Sequence, residues 1–166
     1  VNYGALPYVA FLDVDSPITD DDQSAIYPEG INVIRNRINY GIAIWGARTL
    51  SHDPAWRYVN VRRLFNYVET SLVNGLQWAV FQANNRLLWE SVKREVIQFL
   101  VGIWKSGGLF GDTQSQAFRV TCDETNNSNE TIAQGYLYVR VEIAPVRPGE
   151  FIVIEIAQKM ADSSAT

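Results

Sequence analysis

Apolar positions first cluster in YVAFLD, residues 8–13, a short run that reads as a buried strand before the acidic turn DSPITDDDQ. GIAIWG, residues 41–46, reads as a second short strand closed by glycines. The period then becomes helical. Asp53 followed by Pro54 supplies an N-cap with proline at the first helical position, and Gly75 supplies a stop. Between them Val61, Leu64, Phe65, Val68 and Leu72 form one apolar stripe, expected to face the core. The opposite face carries Trp56, Asn60, Arg63, Tyr67 and Asn74, so two aromatics and an arginine are expected to point outward, as at protein interfaces.

LQWAVF, residues 76–81, reads as a strand, after which QANN opens a second long helix reaching about Ser106 and ended by Gly107 and Gly108. Its apolar set is Trp89, Val92, Val96, Phe99, Leu100 and Ile103. Glu90, Arg94, Gln98 and Lys105 fall on the other side, with Val101 among them and Ile97 and Trp104 at the margin. The apolar arc covers about half of an ideal wheel, so this helix is deeply embedded or also touches a partner. TQSQ, residues 113–116, matches a capping box, FRVTCDE reads as a strand, and residues 124–135 read as loop with one helical turn stopped at Gly135. Residues 137–143 alternate as a half-buried strand. A turn at Pro148–Gly149 then leads into a final strand at 151–156. The pattern predicts a mixed α+β sandwich: a mixed sheet, two long flanking helices, and an antiparallel pair at the C-terminal end.

With 166 residues the chain fits one core, and its 47% hydrophobic and 19% charged composition excludes wholesale disorder. Cys122, the single cysteine, can form no internal disulfide and is read as a small buried apolar residue. No apolar run is long enough to span a bilayer. Charge is segregated. Residues 1–34 hold six acids and no Lys or Arg (−6), residues 35–110 ten bases and four acids (+6), and residues 111–166 four bases and eight acids (−4). Acidic ends and a basic middle suit self-association or an acidic protein partner better than free nucleic acid.

Candidate chemistry is sparse. Ser51, His52 and Asp53 supply the residue types of a hydrolase triad, but neighbours in sequence cannot supply its geometry, and Asp53 already serves as a cap. A small hydrolase or ligand-binding domain using His52 and Asp53 is the competing reading, and it predicts a concave pocket at residues 45–57. Carboxylates beside Cys122 oppose thiol activation. The acidic run Asp20–Asp22 lacks the spacing of a calcium loop and reads as a solvated turn or helix start. SGGLFG is not followed by the lysine of a phosphate-binding loop. No catalytic, metal-binding or cofactor-binding residues are assigned.

A longer series of blocks is more specific: GINVIR (30–35), GIAIWGARTLSHDPAWRYVNVRRLFNYVETSL (41–72), GLQWAVFQANN (75–85), FRVTCDETNN (118–127) and GYLYVRVEIAPVRPGEFIVIEI (135–156). Together they resemble the C-terminal region of contractile tail sheath proteins, of bacteriophages and of phage-like bacterial injection devices, over about residues 17–157. One departure is RNRINYGI, which lacks a Pro-Gly turn; Asn36, Asn39 and Gly41 are expected to turn the chain instead.

The resemblance implies a structural protein, not an enzyme, without cofactor. Residues 1–157 would be the tube-proximal sheath domain and 158–166 a polar tail, with further domains before Val1. Subunits would form stacked hexameric rings around an inner tube, linked by exchanged strands, and contract to drive the tube through a cell envelope. Baseplate and tail terminator proteins would be further partners, with no nucleic acid and no stable membrane insertion. The location would be the virion tail, assembled in the host cytoplasm; a pyocin-like or extracellular injection device is the variant of this reading. Because the final strand is apolar on both faces, residues 136–157 are expected to join an intersubunit sheet through Tyr138, Arg140, Phe151, Val153, Ile154 and Ile156, with a plain internal hairpin as the alternative. Lys93, Arg94 and Lys105 are candidate contacts to an acidic tube, or simply a solvated face. Trp56, Arg57, Arg62 and Arg63 are the alternative gripping face, toward neighbouring subunits.

Overall fold

A computed structural model describes residues 17–37 and 41–150. Helix α1 (Asp20–Ile26) begins at a reciprocal cap, in which Thr19 and Asp22 satisfy each other's backbone N–H groups. A 3₁₀ turn, Tyr27–Glu29, leads to Gly30 in the left-handed region (φ 80°), where an added Cβ would lie 2.5 Å from the Thr49 carbonyl oxygen. Strands β1 (Val33–Arg37) and β2 (Gly41–Trp45) then pair antiparallel, with Val33 opposite Trp45 and Ile34 opposite Ile44. Val33, Arg35 and Ala43 are buried on one face of this hairpin, while Ile34 and Ile44 stand exposed as a cross-strand pair on the other.

The helix expected from Pro54 starts later. Asp53 does cap, accepting from the Ala55 N–H at 2.8 Å, but it caps a 3₁₀ turn, Pro54–Trp56. Tyr58 is extended and bridges to Arg48, with Thr49 donating to the Arg57 carbonyl and Val59 to that of Ala47. Those backbone bonds interrupt the helix, and α2 runs over Val59–Gly75. Val61 and Val68 are buried along it, and Leu64 and Leu72 pack against the core.

LQWAVF is not a strand. Gln77–Ala79 form a 3₁₀ turn, held by Leu76 N–H donating to the Leu72 carbonyl, the Gln77 amide to that of Val73, and the Trp78 indole to Glu95 at 2.7 Å. Phe81 closes the turn with φ 65° and its ring in water. Asn85 then caps α3 (Arg86–Lys105) by accepting from Leu88 N–H. Val92, Val96 and Leu100 are fully enclosed, Phe99 and Ile103 pack on the core as read, and the arc is wider than read, since Ile97 and Trp104 from its margin and Val101 from the polar side also pack there.

The predicted capping box is present at α4 (Gln114–Ala117), which passes directly into β3 (Phe118–Thr121). After α5 (Asn129–Ala133), strand β4 (Arg140–Ile143) pairs antiparallel with β3, Phe118 opposite Ile143. This strand is shorter than the expected 137–143 because buried Asn127 claims the backbone of Tyr138: its Oδ1 accepts from the Tyr138 N–H at 2.7 Å and its Nδ2 donates to the Tyr138 carbonyl at 3.0 Å. Side-chain bonds there replace the ladder. Among the described residues the strands form two two-stranded antiparallel sheets in an α/β fold. The candidate strands at 8–13 and 151–156 lie outside the described residues, as does the pairing expected between residues 137–143 and the final strand.

Candidate functional site

From β4 the chain crosses the molecule as a strap, residues 144–150. It leaves the body where Phe110 donates to the Ala144 carbonyl (2.8 Å) and Leu109 bridges to Pro145. Asn60 of α2 then donates to the Val146 carbonyl at 2.8 Å. At Glu150 the strap reaches the segment just after β2, where Arg48 grips the carboxylate with both arms of its guanidinium, Nε to Oε1 at 2.9 Å and Nη2 to Oε2 at 2.6 Å. The two side chains are only 12% and 10% exposed, so this pair is screened far less than a surface pair.

Three further contacts aim the grip. Asn32 clamps the Arg48 backbone, accepting from its N–H at 2.9 Å and donating to its carbonyl at 2.8 Å. The Tyr27 ring lies 4.2 Å beneath the guanidinium, and Arg48 Nη1 donates to the Tyr27 carbonyl. The Tyr27 hydroxyl donates to Glu150 Oε1 at 2.8 Å. Hydrogen bonding from Arg48 holds the Glu150 carboxyl below its ordinary pKa, and burial, helped by the bond to Glu150, pushes the Tyr27 phenol up to about 12. On the β1–β2 hairpin itself, α1 is tied down by Arg35, which donates to Asp20 at 2.7 Å and Gln23 at 2.6 Å, while Gln23 donates to the Trp45 carbonyl. Chain segments on both sides of the domain are thus anchored at or just after β1–β2.

Between hairpin, α2 and strap lies an open groove of about 1190 Å³, walled by Ile44, Val59, Leu64, Tyr67 and Val146 with Arg63 at its side. Asn60 Oδ1 is enclosed there without a hydrogen-bond partner among the described residues. The groove reaches Gly46 and Ala47 but is not lined by His52 or Asp53. His52 is exposed, and the Asp53 carboxylate is occupied by its capping bond. Burial, reinforced by the neighbouring Asp123 charge, pushes the Cys122 thiol up, away from nucleophilic use. Among the described residues no cluster of His, Cys, Asp and Glu could hold a metal ion, and no helix is long and apolar enough to cross a membrane.

The candidate contact residues separate into groups. Trp56 does not stand free as expected from its face of the helix: it meets Phe65 edge-on at 4.7 Å and carries the Arg62 guanidinium over its ring at 4.0 Å. Arg57 is half-buried in the break before α2, and Arg63 is exposed at the groove. Arg94 and Lys105 are exposed on one face of α3, eleven residues and roughly 16 Å apart along its axis, while Lys93 is half-buried and close enough to act on Cys122. Tyr138 is half exposed, with its ring 6.0 Å from that of Tyr136, and Arg140 points outward, 3.3 Å from Glu142. Phe151, Val153, Ile154 and Ile156 lie outside the described residues.

Arg48, Tyr27 and Glu150 were not among the residues singled out from the sequence, although Arg48 lies within its most specific block. A pair 102 residues apart leaves no local pattern.

The phage tail sheath C-terminal domain family matches residues 51–159. The tail sheath protein of Vibrio phage KVP40 is 28% identical over 163 residues, covering 98% of this chain and 23% of that protein. Two solved structures share the fold: an extracellular contractile injection system, the PVC sheath complex in the contracted state (TM-score 0.84, 38% identity, 89% of this chain and 42% of that one), and the helical sheath of the anti-feeding prophage in the contracted state (TM-score 0.82, 36% identity, 89% and 42%). The chain therefore spans about a quarter of that curated relative and about two-fifths of the solved chains. With the family's match extending over most of its length, the chain belongs to the phage tail sheath C-terminal domain family.

Proposed function

We propose that this domain is the C-terminal part of a contractile sheath subunit, one that polymerises as stacked hexameric rings around an inner tube and contracts to drive that tube through a target envelope. Its place is then the tail of a virion or of a related injection device, with the tube, baseplate and terminator proteins as partners, and its role is structural. The observation that carries this reading is the hairpin. β1 and β2 pair only with each other among the described residues, and they expose the Ile34–Ile44 pair beside a groove holding an unpartnered acceptor. A two-stranded hairpin is marginal alone, and strand addition from a neighbour pairs its open edge and widens the apolar surface that Ile34 and Ile44 begin. Residues 136–157 are the donor segment in this reading, with Tyr138, Arg140, Phe151, Val153, Ile154 and Ile156 among the exchanged residues. Trp56, Arg57, Arg62 and Arg63 face neighbouring subunits, and Lys93, Arg94 and Lys105 face the tube.

Electron microscopy of the intact protein carrying this domain, co-expressed with its tube protein, tests the reading. Striated cylinders that shorten and widen on destabilisation are the expected result. A monomer under every condition overturns it.

A further inference from the structure

The strap fixes where Glu150, the last of the described residues, sits on the domain. Its last backbone bond to the body of any strength is made by Ala144, since the Val146 N–H reaches the Gly108 carbonyl only at 3.5 Å. From 145 to 150 the chain is six residues long, which extended spans about 20 Å. Among the described residues, that slack is taken up by the Asn60 contact to Val146 and by the bonds to the Glu150 carboxylate, chiefly from Arg48 and Tyr27. Strand addition, by contrast, needs register correct to one residue, about 3.3 Å, because a slip of one turns every side chain to the opposite face. A root free over several times that distance would contribute nothing to that register and leave it to the side-chain pattern of the donated strand alone.

We propose that Arg48, Tyr27 and Glu150 are the positioning residues of the intersubunit link: they lock the root of the donated segment onto the same hairpin that receives the neighbour's strand. This rests on the strand-exchange reading above and adds to it a specific coupling. Gly30, ahead of the hairpin, packs so closely on the Thr49 carbonyl that no Cβ fits between them, and α1 is tied to the hairpin through Arg35. The grip therefore makes one rigid junction of three distant segments, around residues 27, 48 and 150. Load arriving through the C-terminal segment passes into β1–β2 and α1 through the two parallel bonds of the guanidinium fork, and the strap is not peeled from the β3–β4 sheet. The fork matters as much as the charge, because two parallel bonds fix the carboxylate plane and an ammonium does not.

The test uses the intact protein with Arg48→Ala, Glu150→Gln and Arg48→Lys, and Arg119→Ala as a control that removes only the loose 3.9 Å pair with Glu142. Two quantities are measured: amide hydrogen exchange of the free subunit, and the subunit concentration at which cylinders form with the tube. In Arg48→Ala and Glu150→Gln, amides at 146–150 are expected to exchange at least tenfold faster while those of Val92–Leu100 keep their protection. The concentration required for cylinders rises at least tenfold, Arg48→Lys recovers part of the loss, and Arg119→Ala matches wild type. If Arg48→Ala also loses protection in α3, Glu150→Gln, which changes no volume, decides. Faster exchange with cylinders forming at the wild-type concentration overturns the proposal, leaving the grip a local brace, and so does unchanged exchange. Wild-type protein that forms no cylinders overturns the assembly reading itself, and the anchor with it.

Discussion

Around α3 the chain is held by apolar burial: Val92, Val96 and Leu100 are wholly out of water against Phe118, Val120 and Leu109. Among the described residues of the β1–β2 hairpin only Val33 and Ala43 are buried apolar residues, and the ties around it are polar, Arg48 to Glu150, Arg35 to Asp20 and Gln23, and Asn32 to the Arg48 backbone. Burial is non-directional and nearly indifferent to pH, whereas a forked ion pair specifies one geometry and fails when either charge is lost. One region supplies stability. The other supplies position, which the proposed strand exchange needs most at the edges it would join.

The largest effect is expected where burial is deepest. Leu100→Ala should cost about 3 to 4 kcal/mol, as a leucine cavity in a rigid core does. For a domain of this size that lowers the melting temperature by roughly 10 °C, measured by calorimetry. The loss should be the same at neutral and mildly acid pH. A cost below about 1 kcal/mol would show that the α3 core repacks freely and would undo the contrast.

The grip should behave oppositely. The Glu150 pKa is lowered in the folded state, so its contribution is complete above the ordinary glutamate range, near pH ~4.3, and disappears as pH falls through the depressed value. The Tyr27 pKa is raised to about 12, so its contribution is complete below the ordinary phenol range, near pH ~10, and disappears as pH rises through that value. Glu150→Gln is expected to cost about 2 to 3 kcal/mol of local stability at neutral pH, the range for losing charged hydrogen bonds, and to lower the Tyr27 pKa. Exchange at 146–150 and the ultraviolet titration of tyrosinate read both. A Tyr27 titration unchanged by the substitution would mean that burial alone raises it and that the hydroxyl bond contributes nothing.

The same division governs what the sequence disclosed. Helix α3, its Asn85 start, the capping box at Thr113 and the turn before Gly135 were legible because caps and periodicity are local. LQWAVF misled because a short, mostly apolar run after a glycine resembles a strand, while the bonds that bend it come from Val73 and from Glu95 on the next helix. The strand at 137–143 was read too long because nothing local reveals that Asn127 occupies the Tyr138 backbone. Arg48 lies within a block that carries the resemblance but was not singled out, because its partner is 102 residues away; family resemblance located the region and only the fold located the grip.

A smaller and opposite change sharpens the contrast at the far end of α2. Phe81 holds φ 65° with its ring exposed, a conformation costing an L-residue about 1 to 2 kcal/mol, and among the described residues its side chain gains no burial to offset that cost. Phe81→Gly removes that strain but adds backbone entropy to the unfolded chain, so a net gain of about 0.5 to 1 kcal/mol is expected in the free subunit. Combined with Glu150→Gln, the two effects should add to within about 0.5 kcal/mol, because Phe81 shares no partner with the grip. Non-additivity beyond that would mean that the α2–α3 turn and the hairpin are coupled through α2. The molecule would then be one cooperative unit, and the separation between a region that stabilises and a region that positions would not hold.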